Sequence, residues 1–344
     1  MIWAVLLAGG AGTRFWPLSS PTKPKQLLPL TRNDQSTAEA TLIQLDGLVP
    51  RERILLVTGE ALAPALGATL GLPSENMLVE PFPASTAPAI VWATLEALTR
   101  DPDAELLTLH VDWAIGNREG FHQAARAALD TARKYDCLVT VGIVPSRPET
   151  GYGYIVPGPE LDPTAKKVAR FSEKPDAPTA LDLIANGAFW NSGLFAWTGR
   201  RLVAEIEQHT PEIAPALSAL EARDVAGFFQ RVTPISIDVG LLERSNAVAV
   251  VPGDFQWDDI GNWDALHRVR PRDGDGNVFI GPVHARDAYE CVAWSEAVPV
   301  VLSGVRDLVV VCANGRVLVM PRKSAPQMKR LLESLPPDVR NLPS

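Results

Sequence analysis

The sequence predicts an α/β fold: a doubly wound, mainly parallel sheet with helices on both faces, followed by a small β-rich C-terminal domain. Two observations lead to this prediction. Up to residue 143, short apolar runs typical of buried strands alternate with helical patterns, as in parallel sheets whose crossover connections are helices. After a Pro/Gly/Asp cluster at 271–277 the apolar runs become short, closely spaced and β-type.

The elements of the sheet follow in chain order. Strands are predicted at the apolar runs 2–8, 53–58, 105–110 and 137–143, and helices at 36–48, 87–100 and 118–136. In the last helix, apolar residues recur at spacings of three and four and form one face: Phe121, Ala124, Ala125, Ala128, Leu129 and Ala132. Ligands of such sheets bind beyond the carboxyl ends of the strands, so the loop 9–24 and Asp112 should lie on one edge.

The 344 residues are too many for one small domain. We predict a catalytic domain over 1–270 and a β-rich domain over 271–344 that ends in a helix near 325–334. The even spacing of its strands suggests a β-helix-like coil, although periodicity alone does not settle this arrangement.

Composition limits the partners. The net charge is -8 and the pI about 5.3, which argues against nucleic-acid binding. The three cysteines lie far apart and form no CxxC motif, so neither a zinc site nor a disulfide framework is expected. The first apolar run lacks a basic n-region, and no stretch is long enough to span a bilayer. We therefore predict a cytoplasmic protein with no membrane partner.

The segment LLAGGAGTRFWPLSSPTKPKQLLPL (6–30) is the strongest local signal. It is not a P-loop, which requires GxxxxGK[ST], and it fails the dinucleotide fingerprint because Phe15 takes the third glycine position. Gly9, Gly10 and Gly12 would still let backbone N–H groups approach an anion closely. Arg14 and Lys25 can add charge-assisted hydrogen bonds, so a small anionic ligand such as a phosphate is expected.

The same segment resembles the signature of the sugar-nucleotide pyrophosphorylases, and its Phe-Trp-Pro-Leu is most similar to the mannose-1-phosphate guanylyltransferase branch. Further motifs that resemble this branch follow in order: EPFPASTAPAI (80–90), GYGYI (151–155), FSEKP (171–175), WNSGLF (190–195), SIDVGLLERS (236–245) and WDDIGNWDAL (257–266). The tail after residue 275 is also similar. The resemblance implies the Rossmann-like nucleotide-diphospho-sugar transferase fold.

The resemblance also implies a reaction, in which GTP and mannose 1-phosphate give GDP-mannose and pyrophosphate. Arg14 and Lys25 would neutralise the leaving pyrophosphate, and Asp112 and Asp259 would hold Mg²⁺. The remaining nucleotide contacts would come from Gly9, Gly10, Gly12, Thr13, Thr86 and Asp112. For Thr86, capping of a helix is an equal alternative to a nucleotide contact, and Lys23 is either a further ligand or a solvated neighbour.

For the sugar, the resemblance assigns Lys174 to the phosphate and Glu173 to the hydroxyls. Gly153, Asn191 and Asp238 would complete this pocket, with turn capping as the alternative for Asp238. Because β-rich tails must cover their edges, a homodimer is expected.

Three motifs depart from the family pattern. His110, Val111, Asp112 and Trp113 replace Pro-Ser-Asp-His; Ala84 and Ser85 replace an Arg-Asn pair before Thr86; and the usual aromatic after Asp238 is missing. These departures keep two alternatives open. One is the same chemistry with another hexose 1-phosphate or with UTP or dTTP, and the other is a non-catalytic regulatory paralogue that binds a sugar nucleotide.

Overall fold

The structure is a computed structural model that describes residues 1–10, 12–20 and 23–341. Ala11, Pro21 and Thr22 of the predicted glycine loop, and 342–344 of the predicted C-terminal domain, lie outside the described residues.

Seventeen strands are found in the described ranges. They are β1 Ile2–Ala8, β2 Ile54–Gly59, β3 Met77–Glu80, β4 Glu105–His110, β5 Trp113–Ile115, β6 Leu138–Ile143, β7 Tyr154–Asp162, β8 Ala165–Ser172, β9 Phe189–Thr198, β10 Val248–Gly253, β11 Trp257–Asp259, β12 Val278–Ile280, β13 Val283–Tyr289, β14 Val292–Ser295, β15 Val300–Arg306, β16 Leu308–Ala313 and β17 Arg316–Pro321.

The α-helices of the same ranges are α1 Thr37–Leu45, α2 Ala63–Leu70, α3 Thr86–Arg100, α4 Arg118–Tyr135, α5 Ala177–Ala185, α6 Gly199–His209, α7 Leu217–Glu221, α8 Val225–Arg231, α9 Trp263–Val269, α10 Met328–Ser334 and α11 Pro337–Arg340. One π-helical turn, Asp238–Leu242, lies between α8 and β10.

The central sheet has nine strands in the order β3-β2-β1-β4-β9-β6-β10-β8-β7. Alternate residues of β1 face opposite sides: Ala4, Leu6 and Ala8 pack with α1, α2 and α4, while Trp3, Val5 and Leu7 pack with α3, α6 and α8. A sheet covered by helices on both faces reads as a continuous apolar run, which is why β1 looks like a buried strand in the sequence. The predicted doubly wound α/β fold is confirmed.

The middle of the sheet differs from a simple alternation of strands and helices. β9 runs antiparallel between β4 and β6, and the β7–β8 hairpin extends the far edge. The sheet is therefore mixed, although β3, β2, β1, β4, β6 and β10 all run in one direction. This insertion brings the segments after β8 and within β9 to the carboxyl ends of the parallel strands.

The C-terminal strands form two small layers. β12, β14 and β16 pair in parallel in one sheet that β17 closes, and β13 and β15 pair in parallel in the other. Because successive strands alternate between the layers, the chain forms a coil of stacked turns. Its core is continuous with the glycine-loop segment, since Phe15, Trp16 and Leu18 pack with Trp263 of α9 and Trp294 of β14. The boundary at 270/271 stays a prediction.

Candidate active site

The glycine loop approaches the Lys25 backbone too closely for any residue other than glycine at position 12. Gly12 has φ +59°, and a Cβ there would lie 2.5 Å from Lys25 Cβ and 2.7 Å from Lys25 N. The Ser19 hydroxyl donates to the Gly12 carbonyl at 2.8 Å, and the Gln26 amide donates to the Gly9 carbonyl at 2.6 Å. The loop is therefore held against the segment that carries Lys25.

Asp112 and Asp259 meet through a two-stranded ribbon. Asp112 lies between β4 and β5, and Asp259 ends β11, where it pairs with Trp113 at the start of β5. The ribbon explains how two acids separated by almost 150 positions reach one point at the edge of the sheet, where the ligands of such sheets bind.

Lys25 joins the two acids. Its Nζ lies 2.9 Å from Asp112 Oδ2 and 3.5 Å from Asp259 Oδ1, and its side chain is only 7% exposed. Burial alone would lower the pKa of Lys25, but the two carboxylates outweigh it and raise the pKa above its usual range. Lys25 is therefore charged, and it offsets the negative charge of both acids.

The two acids differ in their surroundings. Burial raises the pKa of Asp259, which also faces the charges of Asp112 and Asp258. Burial acts in the same direction on Asp112, yet the charge of Lys25, reinforced by its hydrogen bond, leaves the pKa of Asp112 below its usual range. Asp112 is thus the more strongly anionic member of the pair.

Arg14 and Thr13 are exposed at the mouth of this cluster. Within the described ranges Arg14 makes no hydrogen bond or ion pair, although it lies close enough to Asp259 for its charge to offset part of the rise in the pKa of that acid. Gly9 and Gly10 are exposed, and a Cβ at either would meet nothing within 4 Å. Lys23 instead pairs with Glu296 of the C-terminal coil, at 3.5 Å.

The predicted sugar residues form a second cluster. A Cβ at Gly153 would lie 2.7 Å from Glu173 Oε2, so a glycine there makes room for this carboxylate. Lys174 adopts φ +47°, donates its backbone N–H to the Tyr152 carbonyl, and has an exposed ammonium in contact with Glu173. The left-handed backbone at Lys174 holds the pair at the end of β8.

Asn191 of β9 connects Asp238 to the sheet. Its amide donates to Asp238 Oδ1 at 2.8 Å, and its carbonyl oxygen accepts from the Thr140 hydroxyl at 2.8 Å. Burial, reinforced by the charge of Glu173, raises the pKa of Asp238 to about 6. Asp238 begins the π-helical turn and makes a side-chain bond with β9.

The Thr86 hydroxyl does not cap a helix. The residue that precedes α3 is Ser85, which makes no side-chain capping bond. The Thr86 hydroxyl accepts a hydrogen bond from the Ile237 N–H at 2.9 Å. The capping alternative is therefore wrong, because this hydroxyl connects α3 to the turn that carries Asp238; the nucleotide contact stays a prediction.

The two clusters adjoin. A Cβ at Gly193, two residues after Asn191, would lie 3.2 Å from His110 Cδ2, and His110 precedes Asp112 by two residues. On the other side, the rings of Tyr152 and Trp257 have centroids 5.2 Å apart. The nucleotide-side and sugar-side residues thus adjoin at the carboxyl ends of the strands, and this region is called the cleft below.

Sequence reasoning missed the residues that support the cleft. Gln26 lies inside the quoted signature, and its polarity within an apolar stretch was a usable signal. Tyr152 packs between Trp190 and Trp257. Burial lowers the pKa of His110. No single-sequence pattern distinguishes such packing aromatics from other core residues.

Comparison with known proteins agrees with this geometry. The nucleotidyl transferase family model matches residues 3–275. Mannose-1-phosphate guanylyltransferase from Escherichia coli is 36% identical over 350 residues, which cover 97% of this chain and 74% of that protein. The protein of the same description from Klebsiella pneumoniae is 35% identical over 99% of this chain and 75% of its own length.

The chain belongs to the nucleotidyl transferase family, in the mannose-1-phosphate guanylyltransferase branch. A crystal structure from Thermus thermophilus, described as a mannose-1-phosphate geranyltransferase, superposes with a TM-score of 0.88 and is 34% identical, covering 96% of this chain and 98% of that one. The family resemblance and the nucleotide-diphospho-sugar transferase fold expected from the motifs are therefore confirmed, including the strand-rich C-terminal region.

The membership of this branch leaves the individual site roles as predictions. Among residues 1–10, 12–20 and 23–341, no group of three or more His, Cys, Asp or Glu side chains could hold a metal. Asp112 and Asp259 are two carboxylates, and Mg²⁺ is commonly bound by one or two carboxylates when substrate phosphates supply further ligands.

Within the described ranges, no helix is long and apolar enough to cross a bilayer.

Proposed function

We propose that this protein makes GDP-mannose and pyrophosphate from GTP and mannose 1-phosphate. The observation that supports this most strongly is the Lys25–Asp112–Asp259 cluster, which adjoins the Glu173–Asn191–Asp238 cluster in a chain of this branch. One side carries the charges that phosphoryl chemistry needs, and the other carries hydroxyl-binding groups.

The proposed step is an in-line displacement. An oxygen of the mannose 1-phosphate attacks the α-phosphorus of GTP, the bond from that phosphorus to the bridging oxygen breaks, and pyrophosphate leaves with the electron pair. Little covalent chemistry falls to the protein, so catalysis consists of positioning and charge neutralisation. Arg14 and Lys25 would offset the charge of the leaving pyrophosphate, with backbone N–H groups of the glycine loop beside them.

Mg²⁺ is part of the proposal. Asp112 and Asp259 would hold it, because carboxylate oxygens suit this ion and both acids reach the same ammonium. When bound, the ion would neutralise negative charge that develops on the α-phosphate.

On the sugar side, Lys174 would bind the phosphate of the hexose and Glu173 would accept hydrogen bonds from its hydroxyls. The exposed ammonium of Lys174 supports its role, since it is open to a ligand. Asn191, held by Asp238 and Thr140, presents a fixed amide, and Gly153 leaves room for Glu173.

The cellular location and the oligomeric state complete the proposal. GTP and a hexose phosphate are intracellular metabolites, so the protein would act in the cytoplasm. Among the described residues, four valines of the C-terminal coil are exposed: Val298, Val301, Val317 and Val319, which are 59, 72, 65 and 59% exposed. Because β17 is a sheet edge, pairing with a second copy would cover Val317 and Val319 and give a homodimer.

The test is pyrophosphate release from the purified protein with Mg²⁺, with GTP, UTP, dTTP and ATP each combined with mannose 1-phosphate and glucose 1-phosphate. We expect release with GTP and mannose 1-phosphate. Release only with another pair would keep the transfer chemistry and refute the substrates. No release with any pair, from folded protein that still binds a nucleotide, would refute the enzyme and favour the regulatory paralogue.

A further inference from the structure

Arg147 lies in the loop between β6 and β7, where the two sides of the cleft meet. Its guanidinium lies over the ring of Trp190 in β9, with 4.9 Å between Cζ and the ring centroid. Its Nη2 donates to the Tyr152 hydroxyl at 3.3 Å and lies 3.7 Å from Asp258 Oδ2. Its Nε donates to Glu149 at 3.3 Å. One guanidinium, on a side chain that is 27% exposed, therefore contacts its own loop, β9 and β11.

The segment of Tyr152 and Gly153 carries the backbone bonds that hold the predicted sugar residues. The Tyr152 carbonyl accepts from the Lys174 N–H at 3.2 Å, and the Gly153 carbonyl accepts from the Asn191 N–H at 2.8 Å. Gly153 also makes room for Glu173, since a Cβ there would lie 2.7 Å from Glu173 Oε2. A displacement of this segment would therefore move the sugar-side groups together.

Asp258 belongs to the other side of the cleft, because it precedes Asp259 in β11. Nε and Nη2 of Arg268 donate to its two carboxylate oxygens at 2.7 and 2.8 Å, so the carboxylate that Arg147 approaches is fixed in place. Among the ion pairs of the described residues, Arg147–Asp258 is the one that joins the β6–β7 loop to the β5–β11 ribbon. Arg147 thus connects the sugar-side segment to the strand that ends in Asp259.

We infer that Arg147 is a positioning residue for the transfer step: it holds the Tyr152–Gly153 segment against β11 and so sets the distance between the two bound substrates. The inference rests on the proposed function, which places the nucleotide and the hexose phosphate on the two sides of the cleft. The attacking oxygen must approach the α-phosphorus in line, and a misplacement of about 1 Å can lower such a rate about 100-fold.

The chemistry of a guanidinium suits this role. It is planar and always charged, so it can stack on the Trp190 ring while its N–H groups donate in fixed directions to Glu149 and Tyr152. These donors are directed at the protein, and the role requires no contact between Arg147 and a substrate.

The experiment measures kcat and both KM values by pyrophosphate release in Arg147→Met, which keeps a long apolar side chain over Trp190 but loses the charge and the donors. We expect kcat to fall by about 10- to 100-fold, because the two substrates are no longer aligned. Both KM values should stay within about 3-fold, because each substrate still binds on its own side.

A binding measurement tests the same inference without turnover. GDP-mannose must contact both sides at once, whereas GDP contacts only one. Titration calorimetry should therefore show about 10-fold weaker binding of GDP-mannose in Arg147→Met, with the Kd of GDP within about 2-fold of the wild type.

Arg201→Met is the matched control. Arg201 is 26% exposed and pairs with Glu205 and with Asp136, which precedes β6 at the edge of the sheet opposite to the cleft. Its loss should lower the melting temperature at least as much as that of Arg147 and leave kcat within about 2-fold. A fall in kcat that merely reflects lost stability would appear in both variants.

A double-mutant cycle tests the partner on β11. Asp258→Asn removes the charge that attracts Arg147 and keeps an acceptor for Arg268. If Arg147 acts through Asp258, kcat of the double variant should lie within about 2-fold of the lower of the two single variants, because both remove the same connection.

Three results would overturn the inference: an unchanged kcat in Arg147→Met, a raised KM for mannose 1-phosphate at unchanged kcat, which indicates a direct substrate contact, or losses that multiply in the double variant. If Arg147→Met does not fold, Arg147→Lys takes its place, with an expected fall in kcat of about 3- to 10-fold because an ammonium lacks the planar fork. Failure of the wild type to use GTP with mannose 1-phosphate would instead refute the proposed function, and the comparison of a sugar nucleotide with its nucleoside diphosphate would still test Arg147.

Discussion

The acids on the two sides of the cleft differ in how their negative charge is balanced. Asp112 and Asp259 share the buried ammonium of Lys25, so their charge is balanced inside the protein. Glu173 instead contacts the exposed ammonium of Lys174, and the pKa of Asp238 is raised to about 6. The nucleotide side is therefore organised before any ligand binds, whereas the sugar side has unbalanced negative charge that a ligand's hydroxyls can stabilise.

The largest expected effect comes from removing one acid of the nucleotide side. Asp112→Asn and Asp259→Asn should each lower kcat by at least about 1,000-fold, because the Mg²⁺ that we propose they hold would supply several kcal/mol of charge stabilisation. Steady-state pyrophosphate release measures this. Asp254→Asn, an exposed acid between β10 and β11, should leave the rate within about 2-fold. A normal rate in either active-site variant, with an unchanged melting temperature, would show that the metal assignment is wrong.

A pH titration of stability sharpens the comparison on the sugar side. In the folded protein the carboxyl of Asp238 keeps its proton up to about pH 6, whereas its ordinary pKa is 3.8. Between these values the folded state binds more protons than the unfolded state. The protonated Asp238 therefore makes its full contribution to the free energy of unfolding below pH 4, and this contribution is lost as the pH rises to about 6. The loss amounts to about 3 kcal/mol at most, reduced by the partial solvent exposure of Asp238.

Urea unfolding at pH 4, 5, 6 and 7 checks this prediction. Asp238→Asn keeps an acceptor for the Asn191 amide and does not titrate, so the fall in unfolding free energy between pH 4 and 6 should be smaller by this amount in the variant. Parallel curves for the two proteins would mean that Asp238 titrates in its ordinary range.

The smallest effect is expected at Lys23, the exposed cation of the same loop. Its pair with Glu296 is 3.5 Å long, and both side chains are open to solvent, so Lys23→Ala should cost less than about 1 kcal/mol of stability and change kcat by less than about 2-fold. Lys25→Ala is the comparison, and it should abolish measurable turnover. A strong loss of activity in Lys23→Ala would make Lys23 a ligand of the phosphates.

The sequence predicted several parallel strands and α4 well, because local patterns determine them. β1, β4 and β6 are apolar runs and α4 has a regularly spaced apolar face, and the structure places all four within one or two residues of the predicted bounds. The antiparallel insertion of β9 was not predicted, since a strand buried on both faces reads the same in either direction. The pairing of strands depends on contacts across the chain that no local pattern contains.

In the candidate site, too, local motifs identified residues but not the contacts between them. The motifs indicated Lys25, Asp112 and Asp259, but only the β5–β11 ribbon shows that one ammonium contacts both acids. Glu80 stands first in a quoted motif, but the burial of its Oε1 without a hydrogen bond is a feature that a sequence does not display. For Thr86, local capping rules pointed to the wrong partner, since a distant N–H occupies its hydroxyl.

The most direct test of the account is to measure kcat and the KM for mannose 1-phosphate side by side in Asp259→Asn and Glu173→Gln. If the nucleotide side performs the transfer and the sugar side binds the hexose, the first variant should lose kcat with little change in this KM. The second should raise this KM by about 10-fold, the effect of one lost charge-assisted hydrogen bond, and largely keep kcat. The reverse pattern, or equal losses of kcat in both variants, would contradict the division of the cleft into these two roles.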